Sequence, residues 1–240
     1  MRKIMILSGA GLSAESGIKT FRDHDGLWEK YDVMDVCSTE GWIKDRKLVT
    51  RFYDDRRAEL ESKEPNHAHK MLAKLEQAYR GRIIHLTQNI DDFMERVGAK
   101  DVVHLHGTLT DLRCEACTET FYVGYASQES SGVCPHCANK RVRHNVVMFG
   151  ETAPNYSHIQ EAIRHSTLFI AIGTSGTVID IVPMAKAFKY SVLVDPKRKE
   201  TKSKFDPCEY VDEYFETFIQ KKAGDAVDEL MEIVEKHMGS

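Results

Sequence analysis

The chain has 240 residues, of which 42% are hydrophobic and 29% charged, and a net charge of −4. That balance belongs to a folded protein, and its mild acidity lacks the electrostatic footprint of a nucleic-acid binder. No apolar run approaches the roughly 20 residues that span a bilayer, so neither a membrane nor a nucleic acid is expected as a partner.

Met1-Arg2-Lys3 followed by Ile4-Met5-Ile6-Leu7 starts like a signal peptide, but the apolar stretch is short and runs into a glycine turn. It reads as a first buried strand, Lys3 to Leu7. Arg46 to Glu61 predicts a helix with Leu48, Val49, Phe52 and Leu60 on one face. Asn66 to Tyr79 predicts a second helix, with Pro65 just before it. A strand at Arg82 to Thr87, a helix at Asp91 to Val97 ending at Gly98, and a strand at Val102 to Leu105 follow. Arg113 to Val142 breaks this rhythm, with four cysteines and little helical periodicity. Alternation then resumes: strand Val146 to Phe149, helix Ser157 to Ser166, strand Leu168 to Ile172, helix Ile181 to Phe188, strand Val192 to Val194, and helix Ala226 to Lys236. Strands alternating with helices predict an α/β fold, a Rossmann-like doubly wound parallel sheet. The division expected is a discontinuous nucleotide-binding domain, residues 1–111 and 143–236, with a zinc-binding module at 112–142 belonging to a small domain.

Gly9-Ala10-Gly11-Leu12-Ser13-Ala14 fits the G-x-G-x-x-G/A pattern of a dinucleotide site, placed after a strand and expected to open a helix. There, backbone N–H groups could approach a pyrophosphate. A turn that merely needs small residues fits this motif equally well. No acid ends a second strand about 20 residues on, as in dehydrogenases; Phe21-Arg22-Asp23 stands there. Asp195, after a late strand, is the better candidate for a ribose-binding acid.

Cys114-x-x-Cys117, sixteen residues, then Cys134-x-x-Cys137 has the spacing of a four-cysteine zinc site. Four thiolates leave no coordination position open, so one structural Zn²⁺ is expected rather than a catalytic one. Cys37 and Cys208 stand alone. The pattern suits a reducing compartment, and cytoplasm is the expected location.

Taken in order, the motifs resemble a known family. Gly9 to Arg22 closely resembles the first sirtuin signature, and Thr87-Gln88-Asn89-Ile90-Asp91 the second. His106-Gly107, the two cysteine pairs, Val147-Met148-Phe149-Gly150-Glu151 and Gly173-Thr174-Ser175 follow in the family's order. The resemblance implies an enzyme that removes acyl groups from protein lysine side chains and consumes NAD, giving nicotinamide, O-acyl-ADP-ribose and free lysine. It implies that the acyl oxygen attacks C1′ of the nicotinamide ribose, and that a histidine then helps a ribose hydroxyl attack the resulting imidate.

Roles carried over by the resemblance fall on named residues. His106 matches the base, a role that imidazole chemistry suits. Asn89 and Asp91 match residues holding the nicotinamide and its ribose, with Gln88 and Ile90 beside them. Gly9, Ala10, Gly11, Ser13, Glu15, Phe21 and Arg22 match the cofactor loop, where the aromatic ring screens C1′ from water. Gly173, Thr174 and Ser175 match contacts near the adenosine end, where Asp195 stands in place of the usual asparagine. Val147 to Glu151 matches the strand that pairs with an acylated peptide. Tyr53-x-x-Arg56 resembles the class III pair that marks preference for succinyl, malonyl or glutaryl lysine, since arginine can bind a distal carboxylate bidentately. Lys19, Phe93-Met94, His144-Asn145 and Met148 depart from the family's usual residues. His85 and His104 read as structural. An NAD sensor, a mono-ADP-ribosyltransferase and, more distantly, a dehydrogenase are the competing readings.

Overall fold

The structure, a computed structural model, describes residues 2–19, 31–201 and 208–239. In chain order the strands are β1 (Ile4–Ser8), β2 (Ile83–Thr87), β3 (Val102–His104), β4 (Gly107–Cys114), β5 (Thr120–Tyr122), β6 (Val142–Val146), β7 (Leu168–Ile172), β8 (Tyr190–Val194) and β9 (Thr217–Ile219). The helices are α1 (Val33–Cys37), α2 (Thr39–Lys44), α3 (Arg46–Glu61), α4 (His67–Ala78), α5 (Phe93–Arg96), α6 (Gln128–Ser131), α7 (Ser157–His165), α8 (Val182–Ala187) and α9 (Val227–Gly239).

Six strands form one sheet in the order β3-β2-β1-β7-β8-β9, and every pair in it is parallel. Successive side chains of a strand point to opposite faces, so a sheet covered on both sides needs continuous apolar strands. β1 and β7 are buried at every position. Ile4, Ile6, Ile170 and Ile172 pack with α4 and α9 on one face. Met5, Leu7, Phe169 and Ala171 pack with α7 and α8 on the other. Strand order reverses between β1 and β7, and ligands of such sheets bind beyond the carboxyl ends at that point.

The remaining three strands make an antiparallel sheet, β5-β4-β6. Helices α1, α2 and α3 do not cover the parallel sheet. Their buried residues, Val36, Trp42, Val49, Phe52, Tyr53 and Leu60, form a third core with Leu109 of β4, Val146 of β6, Phe93 and Met148. Ser38 caps α2, its hydroxyl accepting from the Gly41 N–H, and Asp45 caps α3 through the Leu48 N–H.

Two sequence expectations are corrected here. The strand expected at Val146 to Phe149 ends at Val146. Beyond it Val147 donates to the His106 carbonyl, and Phe149 reaches the junction of α1 and α2, with its N–H on the Cys37 carbonyl and its carbonyl accepting from the Thr39 N–H. The helix expected directly after the glycine loop is instead two short 3₁₀ turns, Ala10–Leu12 and Ala14–Ser16.

Arg57 is fully buried. Its guanidinium donates to the carbonyls of Leu109 (2.5 Å), Ala126 (2.8 Å) and Asp111 (3.2 Å), tying α3 to β4 and the segment after β5. Truncation would leave three inward carbonyls without donors. Arg57→Ala is expected to lower unfolding free energy by about 3 kcal/mol in urea titrations, and Arg57→Lys, with one small ammonium for three acceptors, to recover only part of it.

Candidate active site

The carboxyl ends of β1, β2, β3 and β7 meet at one edge of the parallel sheet, and most of the predicted site residues follow those ends. Gly9 to Ser13 follow β1, Gln88 to Asp91 follow β2, His106 follows β3, and Gly173 to Ser175 follow β7. Asp195 follows β8, adjacent to β7.

The loops after β1 and β7 are in backbone contact. The Gly9 and Gly11 N–H groups donate to the carbonyls of Ile172 (3.1 Å) and Gly173 (2.8 Å). A Cβ on Gly11 would lie 2.7 Å from the Gly173 Cα, and one on Gly173 would lie 2.3 Å from the Leu12 nitrogen. These glycines therefore serve close loop packing, one of the two readings that the motif leaves open, and their own N–H groups are committed within the protein. Ser16 Oγ, on the second 3₁₀ turn, is buried without a hydrogen-bond partner among the described residues.

Ser13 is the hub of the site. Its hydroxyl donates to Asp91 Oδ2 (2.8 Å) and accepts from Asn89 Nδ2 (3.0 Å). His69 Nε2 is 3.2 Å away. The Asn66 N–H donates to His69 Nδ1 (3.1 Å), so that nitrogen carries the lone pair and Nε2–H must donate to Ser13. Burial pushes the His69 pKa down to about 4, which keeps the ring neutral. Burial also pushes the Asp91 carboxyl up to about 6, against the opposing bond from Ser13.

Two histidines clasp the β2 loop. His104 Nδ1 donates to the Asn89 carbonyl (2.9 Å) and its Nε2 faces Glu95 Oε1 (2.9 Å). Burial opposes charge on His104, but the Glu95 carboxylate prevails and raises its pKa. With acceptors on both nitrogens, His104 fits as an imidazolium. His106 Nδ1 donates to the Gln88 carbonyl (3.0 Å). Its lone pair is therefore on Nε2, and burial lowers its pKa, leaving a neutral base. Gly107 fixes the exit: its φ is +81°, and a Cβ there would lie 1.9 Å from the Asn145 carbonyl oxygen. His85, pushed down to about 3 by burial, bonds Ser8 Oγ within the sheet.

Gln88 Nε2 donates to Thr174 Oγ1 (2.9 Å), bridging the β2 and β7 loops. Ser175 Oγ pairs with Thr177 Oγ1 (2.9 Å). Asp195 Oδ1 accepts from the Lys197 N–H (2.8 Å) and lies 3.5 Å from Lys199 Nζ. Glu15 Oε2 accepts from the Gly224 N–H (2.7 Å). The Ile90 carbonyl accepts from the Leu109 N–H (2.8 Å). Phe21 and Arg22 lie outside the described residues.

A second group faces the α1–α3 core. Tyr53 is buried with its ring against His144, 5.4 Å between centroids, and its hydroxyl bonds Cys37. Arg56 lies over the Phe52 ring, 4.3 Å from its centroid, with Nη1 3.5 Å from the Phe52 carbonyl; Nη2 is buried with no hydrogen-bond partner among the described residues. Met148 shares this core. Around it the Val147 N–H donates to the His106 carbonyl (2.9 Å) and the Met148 N–H to Glu151 Oε2 (3.0 Å), while Glu151 Oε1 pairs with Arg143 (2.5 Å). Gly150 has a φ of +92° beside Thr39.

The sulfurs of Cys114, Cys117, Cys134 and Cys137 lie within 4.8 Å of one another. Two of the separations are 3.6 Å, near the edge of about 3.8 Å for a tetrahedron with 2.3 Å zinc–sulfur bonds. The four residues therefore fit one structural Zn²⁺. β4 separates them from His106, with Gly107 at one end and Cys114 at the other, a run of roughly 23 Å.

Sequence reasoning missed His69, Asn66 and Arg57. Asn66 with a polar residue three positions on is a capping-box signal, and that box is present. Arg57 left no signal beyond its place on the helix.

Comparison with known proteins agrees with this arrangement. The Sir2 family profile matches residues 9–180. An NAD-dependent protein deacylase of Campylobacter jejuni (strain NCTC 11168) is 51% identical over 193 residues, covering 80% of this chain and 82% of that protein. One from Helicobacter pylori is 40% identical over 212 residues, 83% and 86% of the two chains. Among solved structures, a Sir2 homologue in complex with NAD superposes with a TM-score of 0.82 at 31% identity, over 98% of this chain and 90% of that one. Among the described residues, no helix is long and apolar enough to cross a membrane.

Two outcomes are expected. Cys134→Ser should abolish stoichiometric zinc, measured by elemental analysis, and lower the melting temperature, because bound metal contributes folding free energy. For Asp91, between its unfolded pKa of about 3.9 and its folded value of about 6 the folded chain keeps a proton that the unfolded chain has lost. Stability contributed by that proton is present at pH 4 and lost as pH rises through 6. Asp91→Asn should therefore match wild type near pH 4 and exceed it at pH 8 by about 2–3 kcal/mol in denaturant titrations.

Proposed function

The chain belongs to the Sir2 family, and on that footing we propose that it is an NAD-dependent protein-lysine deacylase preferring acyl groups that end in a carboxylate. One observation carries the reading. The Gln88 carbonyl fixes the His106 tautomer, so a neutral basic nitrogen stands at the sheet edge beside the loop bearing Asn89 and Asp91.

Bound NAD supplies an electrophilic sugar carbon and a nicotinamide leaving group. Every other task falls to this chain. His106 takes the proton of a ribose hydroxyl through Nε2. Asn89 and Asp91 hold the nicotinamide and its ribose, with their side chains set by Ser13; Gln88 and Ile90 flank them. Gly9, Ala10, Gly11 and Glu15 shape the loop over the pyrophosphate, and Ser16 Oγ offers a spare polar group. Gly173, Thr174, Ser175 and Asp195 take the adenosine side. The zinc module, 112–142, acts as a brace for the nucleotide-binding part, 1–111 and 143–236.

The acyl preference rests on Arg56. A guanidinium nitrogen buried without an acceptor is costly, and a carboxylate arriving on the acyl chain would satisfy it. Val147 to Glu151 border the same core. The N–H groups of Val147, Met148 and Phe149 are already committed within the protein. An acylated peptide would therefore pair along this segment through other groups.

The test is nicotinamide release from NAD with acyl-lysine peptides. Release that depends on the peptide is expected, with succinyl-lysine exceeding acetyl-lysine in kcat/KM by about two orders of magnitude, the scale of a desolvated charge pair. Arg56→Met should erase that ratio and spare the acetyl reaction. Release absent with every peptide would point to a sensor, and label transferred to protein would point to an ADP-ribosyltransferase.

A further inference from the structure

The lone pair of His106 is occupied. The Tyr156 hydroxyl lies 2.8 Å from Nε2, and with Nδ1–H committed to Gln88 this hydroxyl must be the donor. Tyr156 closes the 3₁₀ turn Pro154–Tyr156 that leads into α7. The turn is pinned to the end of β3 by Asn155 Nδ2, which donates to the His104 carbonyl (2.8 Å). The Tyr156 and His106 rings are tilted by 47°, with centroids 5.8 Å apart. The contact is thus built by an anchored turn, while Tyr156 itself is 37% exposed and has room to move.

We propose that Tyr156 is a positioning residue for His106: its hydroxyl holds the Nε2 lone pair in the resting enzyme and yields it to the ribose hydroxyl when substrates bind. The inference rests on the deacylase reading above. Its logic is stoichiometric. An imidazole nitrogen has one in-plane lone pair, so a donor already there competes with any substrate hydroxyl for it. The hydroxyl has nothing to gain from staying once a ribose O–H replaces it, because at the surface water can satisfy it. No bond is broken in the exchange; one hydrogen-bond donor replaces another.

The contact has an electrostatic corollary. A donor on Nε2 favours the neutral ring and so adds to the effect of burial. Among the described residues, the groups hydrogen-bonded to the His106 ring are Gln88 from the β2 loop and Tyr156 from the turn before α7. On its own segment His104 is paired with Glu95. Gln88, His104 and Glu95 are unaltered by removing the Tyr156 hydroxyl, so a change in the His106 titration reports the Tyr156 contact.

The experiment compares wild type with Tyr156→Phe in the full chain. ADP-ribose binding by calorimetry, which needs no turnover, is expected to tighten several-fold. KM for NAD at saturating acyl peptide should fall by a similar factor, with kcat within about twofold. The acid limb of the kcat/KM profile should move to higher pH. Unchanged ADP-ribose affinity and KM would overturn the proposal. So would a kcat reduced more than tenfold at constant KM, which would make the hydroxyl a participant in turnover. A wild type that binds ADP-ribose but releases no nicotinamide with any acyl peptide would sink the deacylase reading; the affinity ratio of the two proteins would still judge Tyr156.

Discussion

The site depends on how many hydrogen bonds one hydroxyl can make. A serine oxygen offers one proton and two lone pairs. Ser13, fully buried, uses all three: its proton on Asp91, its lone pairs on Asn89 and His69. Because that capacity is filled, each partner has a fixed orientation. His69 must present Nε2–H, which requires its Nδ1 to be an acceptor, and the Asn66 N–H makes it one. Asn66 in turn ties back to the cofactor loop through Nδ2 on the Leu12 carbonyl (2.7 Å). The start of α4, the loop after β1 and the loop after β2 are thus one network. A partly satisfied network in such a place would be costly, and a satisfied one specifies a single arrangement.

That network explains which parts were legible in the sequence. β7 was read at Leu168 to Ile172 and α3 at Arg46 to Glu61, and both bounds stand. Each is set by local pattern, a buried apolar run in one case and helical periodicity in the other. The order of motifs placed Gln88 to Asp91, His106 and Gly173 to Ser175, and the sheet topology brings them to one edge. Less legible was where backbone bonds go. The glycine loop looked like a phosphate cradle because its residues are small. Yet small residues serve equally for two loops packing backbone to backbone, and Gly11 and Gly173 do that. The run Val146 to Phe149 looked like a strand because it is apolar. Its last residue, Phe149, bonds the junction of α1 and α2 instead, a long-range choice that no local window carries.

The missed residues share a cause. His69 and Arg57 sit on helices, where a polar residue reads by default as solvent-facing. In the structure both are wholly buried, and what decides it is the element packed against them. His69 meets Ser13 across 56 positions of sequence, and Arg57 meets Leu109 across 52. Propensity and periodicity say nothing about such pairings. Asp54 is similar: it accepts from the Gln128 N–H (2.9 Å) and faces His144 Nε2 (2.8 Å).

Those last contacts give the cysteine module a purpose beyond stabilising itself. Helix α3, which carries Tyr53 and Arg56, is held by Asp54 and Arg57, whose partners lie on β4, on β6 and in the segment around Ala126 to Gln128. β4 and β6 end at Cys114 and Val142, beside the cysteine cluster. The other end of β4 begins at Gly107, one residue past His106. One strand therefore connects the four-cysteine cluster to His106, and the same sheet sets the helix that carries Tyr53 and Arg56. A zinc ion roughly 23 Å away cannot touch the chemistry. By fixing the register of β4 against β6 it can nonetheless hold His106 and Arg56 in a constant relation.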